Sequence, residues 1–265
     1  MKLATFLPPG AAEPIAGEVR GDELVAFASG SVLDRLASGD RTPAEGDAFA
    51  LAGVELLAPV PRPRAIFGIG LNYAAHAAET GQELPEAPMV FLKLPSSSVP
   101  GSGPVRCPEV VKRLDYEVEL AVVMGAGGEI AGYAVADDVS ARDLQKREPR
   151  WVRAKGFDTS CPWGPWITTA DEVADPERLR ITSHVNGEVR QSSTAAVLVF
   201  GPRALADFIA ETCTLEPGDL ILTGTPQGVG QAMDPPRFLA DGDVVRCEIE
   251  GLGAIEHRIE AARPG

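Results

Sequence analysis

Glu117 and Glu119 stand two residues apart in the run Tyr116-Glu117-Val118-Glu119-Leu120-Ala121-Val122-Val123-Met124. A strand alternates its side chains, so this run sets Glu117, Glu119, Ala121 and Val123 on one face and Tyr116, Val118, Leu120 and Val122 on the other. Two carboxylates at that spacing repel each other unless they are well solvated or share a cation. An exposed edge strand would solvate them; the apolar character of the run favours the shared cation. The turn Gly125-Ala126-Gly127-Gly128 then reverses the chain into a second strand, Ile130 to Val139, which brings up Asp137 and Asp138. Parity separates these two. Asp138 shares its face with Ala134 and Ala136, whereas Asp137 goes with Tyr133, Val135 and Val139, so Asp138 joins the small-residue face as the third carboxylate. Three hard oxygen ligands without a nearby His or Cys favour Mg²⁺, with Mn²⁺ or Ca²⁺ as alternatives, over zinc or copper.

His76 and Glu79 lie one helical turn apart, a spacing at which the carboxylate can fix the imidazole tautomer and raise its basicity. That is what a general base acting on bound water needs, although a plain surface pair has the same spacing. Arg142 and Gln145 share a face of a short helix opening near Ser140, and Lys155 follows closely. Together they offer the positive charge and amide that an anionic substrate requires; a solvated helix face, with Asp143 as an ion-pair partner, is the alternative. His184 and His257 are assigned no role.

The elements that position these groups are mostly short strands punctuated by Gly and Pro. Helices are expected at Ser31 to Ser38, with Ser31 as cap, at Tyr73 to Thr80, at Ser140 to Arg147 and at Gly201 to Thr214. The strand Ala65 to Gly70 feeds the His76 helix. The extended segment Ala58-Pro59-Val60-Pro61-Arg62-Pro63 marks a boundary between a small β-rich N-terminal domain, residues 1–62, and a catalytic domain, residues 63–265. Gly68-Ile69-Gly70 lacks the third glycine and the later acidic residue of a dinucleotide fingerprint. Gly224-Thr225-Pro226-Gln227-Gly228-Val229-Gly230 lacks the Lys-Ser or Lys-Thr of a P-loop and reads as a turn lining a small-molecule pocket. Trp151, Trp163 and Trp166 cluster in one stretch, and one of them could wall that pocket.

Composition narrows the classes further. A chain of 265 residues that is 45% hydrophobic buries a sizeable core. The formal charge of −14 argues against nucleic acid and makes any small-anion site depend on local cations or a metal. Cys107, Cys161, Cys213 and Cys247 show no zinc spacing and read as reduced, mostly buried thiols. No stretch has the length of a membrane span, and the apolar stretch before Pro8 is too short for a secretory signal, so a cytoplasmic location is expected.

In order along the chain, these segments resemble the fumarylacetoacetate hydrolase family. The resemblance runs from about Ile66 to the C-terminus. It is carried by Gly70-Leu71-Asn72-Tyr73 with His76 and Glu79, by Asp115-Tyr116-Glu117-Val118-Glu119-Leu120, by Asp138 with Ala141-Arg142-Asp143 and Gln145, by Lys155-Gly156-Phe157-Asp158, and by Leu215-Glu216-Pro217-Gly218-Asp219 with Thr223-Gly224-Thr225-Pro226. It implies an α+β, predominantly β fold, a mixed β-roll, usually as a homodimer. It also implies a divalent metal on Glu117, Glu119 and Asp138, and a His76-Glu79 base on a lid. Arg142, Gln145, Lys155, Thr225 and Tyr73 are then expected at the substrate. Members act on small keto acids as carbon-carbon hydrolases, decarboxylases, isomerases or hydratases.

The leading expectation is Mg²⁺-dependent cleavage of a β-diketo acid by water activated at His76, with Lys155 and Gln145 stabilising the oxyanion. Decarboxylation or keto-enol isomerisation at the same site is the alternative, and a binding protein without catalysis a remote one. The chain departs from the family pattern at Gly156, Trp163 and Thr194-Ala195-Ala196, which points to an altered, more apolar pocket around Trp163 and Thr194 to Val197.

Overall fold

The computed structural model describes residues 1–261; residues 262–265 of the expected catalytic domain lie outside them. The main sheet is built around the strand Val118–Met124, which pairs antiparallel with Ile130–Asp137 on one side and with Leu220–Leu222 on the other. Across the sheet the order runs Ala48–Ala50, Glu23–Ala26, Ile15–Arg20, Lys2–Leu7, Cys161–Thr169, Ile130–Asp137, Val118–Met124, Leu220–Leu222, Ile66–Gly70, Met89–Lys93. Both parallel and antiparallel pairs occur, the parallel ones being Leu220–Leu222 with Ile66–Gly70 and Cys161–Thr169 with Ser98–Pro100, which joins the sheet off this path. A second sheet orders Glu188–Thr194, Arg180–Val185, Val244–Ile249, Gly253–Ala261 and Val105–Cys107. The fold is α+β and predominantly β.

Two cores clasp the central strand. On its Val118, Leu120 and Val122 face, the core continues through Ile181, Val245, Cys247 and Ile255 of the second sheet and through Leu205 and Ile209 of the helix Pro202–Ala210. On the small-residue face, Ala121 and Val123 meet Ala134, Ala136, Cys161 and Trp163 together with Val25, Phe27, Val32 and Leu36 from the N-terminal region. Each large apolar side chain so buried contributes about 1.5–3 kcal/mol relative to exposure. All seven residues from Val118 to Met124 are buried, which excludes the exposed edge strand as an account of the glutamates.

Residues 1–62 do not stand apart from this body. Leu3 pairs with Ile167, placing the N-terminal strands in the main sheet, and their side chains share the core beneath Ala121 and Val123. The expected helix near Ser31 forms at Val32–Ser38. Ser31 accepts from the Asp34 N–H while Asp34 accepts from the Ser31 N–H, and Gly39 ends the helix in the left-handed region. The other expected helices form at Ala74–Glu79, Arg142–Arg147 and Pro202–Ala210, each shorter than its sequence window. A further one-turn helix, Val152–Lys155, carries Lys155. All four cysteines are free, but only Cys161 and Cys247 are buried; Cys107 is half-buried and Cys213 exposed. Among the described residues no helix is long and apolar enough to cross a membrane.

Candidate active site

Pairing between the two central strands stops at Val118 and Asp137, so Glu117 and Asp138 project from the first residues beyond the ladder while Glu119 lies inside it. One carboxylate oxygen from each of Glu117, Glu119 and Asp138 lies within 4.8 Å of the others, and all three residues are buried. Parity had selected Asp138 over Asp137, and the geometry agrees. Asp137 turns to the opposite side, where it accepts the Glu117 N–H at 2.7 Å and faces the buried His257 at 3.1 Å.

Cations answer two of the three carboxylates. Lys155 contacts Glu117 and lies 2.6 Å from Asp138, and Arg142 bridges Glu117 at 2.6 Å and Asp115 at 2.9 Å. Lys93, buried in the strand Met89–Lys93, reaches Asp138 at 2.7 Å and Ser160 at 3.1 Å. Burial alone would raise the Glu117 carboxyl, but Arg142 and Lys155 outweigh it and hold that carboxyl well below the usual range. Lys155 is the converse case: burial opposes its charge, and Asp138 and Glu117 restore it, so its ammonium titrates above the ordinary lysine range. Glu119 has no ion-pair partner within 4 Å among the described residues and accepts only the Gly224 N–H, at 2.6 Å. Burial first, then Asp138 and Glu117, push its carboxyl well above the usual range. A divalent ion among the three oxygens would remove that penalty, and an all-carboxylate donor set suits Mg²⁺, Mn²⁺ or Ca²⁺. The residues present therefore fit the metal that the sequence anticipates.

Glu117 and Glu119 open onto a pocket of about 480 Å³, with Asp138 behind them, and its walls include His76, Arg142, Gln145, Lys155 and Thr225. His76 Nδ1 lies 2.7 Å from Glu79 Oε1, and Glu79 Oε2 accepts the Gly228 N–H at 2.9 Å. The ring is thus tied through Nδ1 to a carboxylate that is itself held, which leaves Nε2 for proton transfer. Thr225 uses its hydroxyl internally: it donates to the Val118 carbonyl at 3.0 Å and accepts from Gln191 at 2.7 Å. Of the turn Gly224–Gly230, expected to line the pocket, Thr225 does so. Gly68 serves packing, since a Cβ there would stand 2.3 Å from the Phe91 ring, whereas Gly70 lines the pocket.

Several expected residues lie elsewhere. Tyr73 is fully buried at the start of its helix rather than on the pocket wall. Its hydroxyl lacks a hydrogen-bond partner, and burial, then Glu119, keep it from ionising. Trp163 belongs to the core and donates to Ser98 at 2.9 Å; Trp151 is the tryptophan that walls the pocket, edge-on to Phe91. Gly156 answers backbone crowding, since a Cβ there would meet the Val152 carbonyl at 2.8 Å and the Leu94 nitrogen at 3.0 Å. Thr194 to Val197 lies outside the pocket lining. The expected apolar remodelling of the pocket at Gly156, Trp163 and Ala195 is therefore not found: these positions answer packing.

Sequence reasoning gave no role to Lys93, Asp115, Asp137, Gln191 or His257. Asp115 is buried and accepts the Gly230 and Gln231 N–H groups at 2.8 and 3.0 Å besides binding Arg142. Lys93 shares its strand face with the buried Phe91, opposite the exposed Val90 and Leu92, but the unbroken apolar run before it gives no parity in the sequence.

A family model described as the fumarylacetoacetate hydrolase C-terminal domain matches residues 65–260. A mitochondrial oxaloacetate tautomerase of Rattus norvegicus is 45% identical over 217 residues, 78% of this chain and 69% of that protein. An oxaloacetate tautomerase of Bacillus subtilis (strain 168) is 42% identical over 226 residues, 80% of this chain and 75% of the relative. Among solved structures, a 5-carboxymethyl-2-hydroxymuconate delta-isomerase from Mycobacterium smegmatis superimposes with a TM-score of 0.84 at 33% identity, covering 99% of this chain and 100% of the other.

Proposed function

The chain belongs to the fumarylacetoacetate hydrolase family, and we propose that it is a metal-dependent tautomerase interconverting the keto and enol forms of a small keto acid of the oxaloacetate type. The observation that carries this reading is the pairing, at one pocket, of a carboxylate-held imidazole with an acidic triad, in a chain matched over most of its length by relatives named as oxaloacetate tautomerases. Carbon-carbon hydrolysis, the leading expectation from sequence, has less support than this alternative.

Glu117, Glu119 and Asp138 would hold the divalent ion, Mg²⁺ before Mn²⁺ or Ca²⁺, which when bound acts as a Lewis acid toward the carbonyl of a keto acid. His76 Nε2 takes the proton from the carbon next to that carbonyl. The C–H pair becomes the carbon-carbon double bond, the carbonyl π pair moves to oxygen, and that oxygen takes the proton back from the His76 imidazolium, which completes the enol and restores the base. Glu79 keeps the imidazole oriented and stabilises its protonated form. Arg142 and Lys155 hold Glu117 ionised, Lys155 also pairs with Asp138, and the two cations add positive charge where negative charge develops. Phe91, Trp151, Ile69 and Leu71 give the pocket an apolar wall that would exclude water from one side of a bound keto acid.

The same dyad could deprotonate water, which keeps cleavage of an acylpyruvate as a second reading. Two measurements on the Mg²⁺-loaded protein separate them: decay of the ultraviolet absorbance of enol-oxaloacetate, and ¹⁸O incorporation from labelled water during incubation with acetylpyruvate. Accelerated enol decay without label in a released carboxylate is expected. Label incorporation without any acceleration of enol decay would refute the tautomerase reading. We further propose a homodimer formed across the edge strand Met89–Lys93, where Val90, Leu92 and the following Leu94 expose apolar surface beside Val152; analytical ultracentrifugation should give twice the chain mass of 27.8 kDa.

A further inference from the structure

Three side-chain cations line the pocket, Arg142, Lys146 and Lys155. Two are committed to the acidic cluster: Arg142 to Asp115 and Glu117, Lys155 to Glu117 and Asp138. Lys146 has no hydrogen-bonded or ion-paired partner among the described residues and is exposed. Its position follows from the helix Arg142–Arg147. Residues at i, i+3 and i+4 share a face, so Arg142, Gln145 and Lys146 all turn toward the pocket. Their burial falls in that order, from buried Arg142 through half-buried Gln145 to exposed Lys146, which ranks them from floor to rim.

A keto acid that enters with its keto-carboxylate end against the triad leaves its far end toward the rim. A hydrocarbon end there would need no cation. A second carboxylate would, because a protein of formal charge −14 repels a dianion at long range and the floor cations are already paired. The amides of Gln145, Gln82 and Gln231 lie in the same lining and can donate alongside an ammonium.

We propose that Lys146 is a specificity-determining residue that reads a second carboxylate, so that the site selects dicarboxylic keto acids over monocarboxylic ones. This rests on the keto-acid reading of the site given above. The positive charge at the rim also recruits the dianion, so the preference weakens as salt screens it.

The test uses two inert ligands with the same chelating head. N-Oxalylglycine carries a distal carboxylate, and N-methyloxamate ends in a methyl group at that point. Calorimetry on the full chain loaded with Mg²⁺ should show N-oxalylglycine preferred. Lys146→Met should remove about three- to tenfold of that preference, the scale of one charge-assisted contact at a partly solvated rim, and leave N-methyloxamate affinity unchanged. Lys146→Arg should retain the preference, and raised salt should erode it in the wild type but not in Lys146→Met. The inference is overturned if the wild type shows no preference, if the preference survives in Lys146→Met, or if both ligands weaken equally. Failure of the wild type to accelerate enol-oxaloacetate decay counts against the tautomerase alone, because the ligand preference is read without turnover. Binding of neither ligand overturns both.

Discussion

The two ends of the central hairpin are held by different means. At the turn end the backbone supplies the hydrogen bonds: the Gly125 N–H donates to the Glu129 carbonyl at 2.8 Å, and Met124 exchanges bonds with Asp219 and Gly218 at 2.9 Å each. At the site end one backbone bond persists beyond the ladder, from the Asp138 N–H to the Glu117 carbonyl at 2.9 Å, and side chains close the groups beside it. Asp137 accepts the Glu117 N–H at 2.7 Å, Gln191 accepts the Val118 N–H at 3.1 Å, and Thr225 donates to the Val118 carbonyl at 3.0 Å. Backbone bonding at the turn tolerates many side chains. The site end requires particular ones, because each closes a buried donor or acceptor that no strand neighbour reaches. Precision at the carboxylates therefore comes from distant parts of the chain, and this asymmetry predicts where substitutions will hurt function and where only stability.

The largest effect is expected from Glu119→Ala, which should abolish divalent-ion binding in calorimetry and tautomerase activity together. His76→Ala should divide the two readouts, lowering turnover by about 10²–10⁴-fold with ion affinity near that of the wild type. Loss of ion affinity in His76→Ala would mean that the imidazole is a ligand rather than a base. Gln191→Ala comes next. It strips the Val118 N–H of its acceptor and Thr225 of its donor, and supports of this kind typically cost about 10–100-fold in metal affinity or activity. Unchanged ion affinity in Gln191→Ala would break the contrast between the two ends.

Smaller in function but measurable in stability is Asp137→Ala. The unpaired Glu117 N–H left behind costs about 1–3 kcal/mol, read as a lower urea midpoint. Asp137→Asn keeps an acceptor oxygen and should recover most of that loss, which a purely electrostatic role toward His257 would not allow.

How much of this was legible in the sequence follows the same division. Local periodicity carried the acidic triad and the dyad: period two grouped Glu117 with Glu119, parity chose Asp138, and the i, i+3 spacing paired His76 with Glu79. Partners joined by long-range packing were invisible. Gln191 lies 73 residues from the Val118 nitrogen it binds, and Asp115 lies 115 residues from Gly230. The Leu3 and Ile167 pairing likewise has no local trace, which is why the N-terminal strands read as an appendage. Trp163 misled for a related reason: size and position in the sequence do not say which side of a strand faces the pocket, and its face is the small-residue core. Lys93 was hidden too: Met89 to Leu92 is apolar at every position, so alternation assigns it no inward face, and a lysine after such a run reads as a strand end.

The turn end supplies the smallest and cleanest test. Gly127 adopts φ +66, and a Cβ there would meet nothing within 4 Å, so alanine adds backbone strain without a clash. Holding a non-glycine residue in the left-handed region costs about 1–2 kcal/mol, and asparagine, which tolerates that region better, should cost less than alanine. Both variants should lower the urea midpoint in that order while ion affinity and turnover stay at wild-type values. The reason is mechanical: Met124 remains bonded to Asp219 and Gly218, and seven buried residues of paired strand separate the turn from Glu117. A change in ion affinity on Gly127→Ala would show that the strand transmits strain along its length, and the site end would then depend on the turn as well as on Asp137, Gln191 and Thr225.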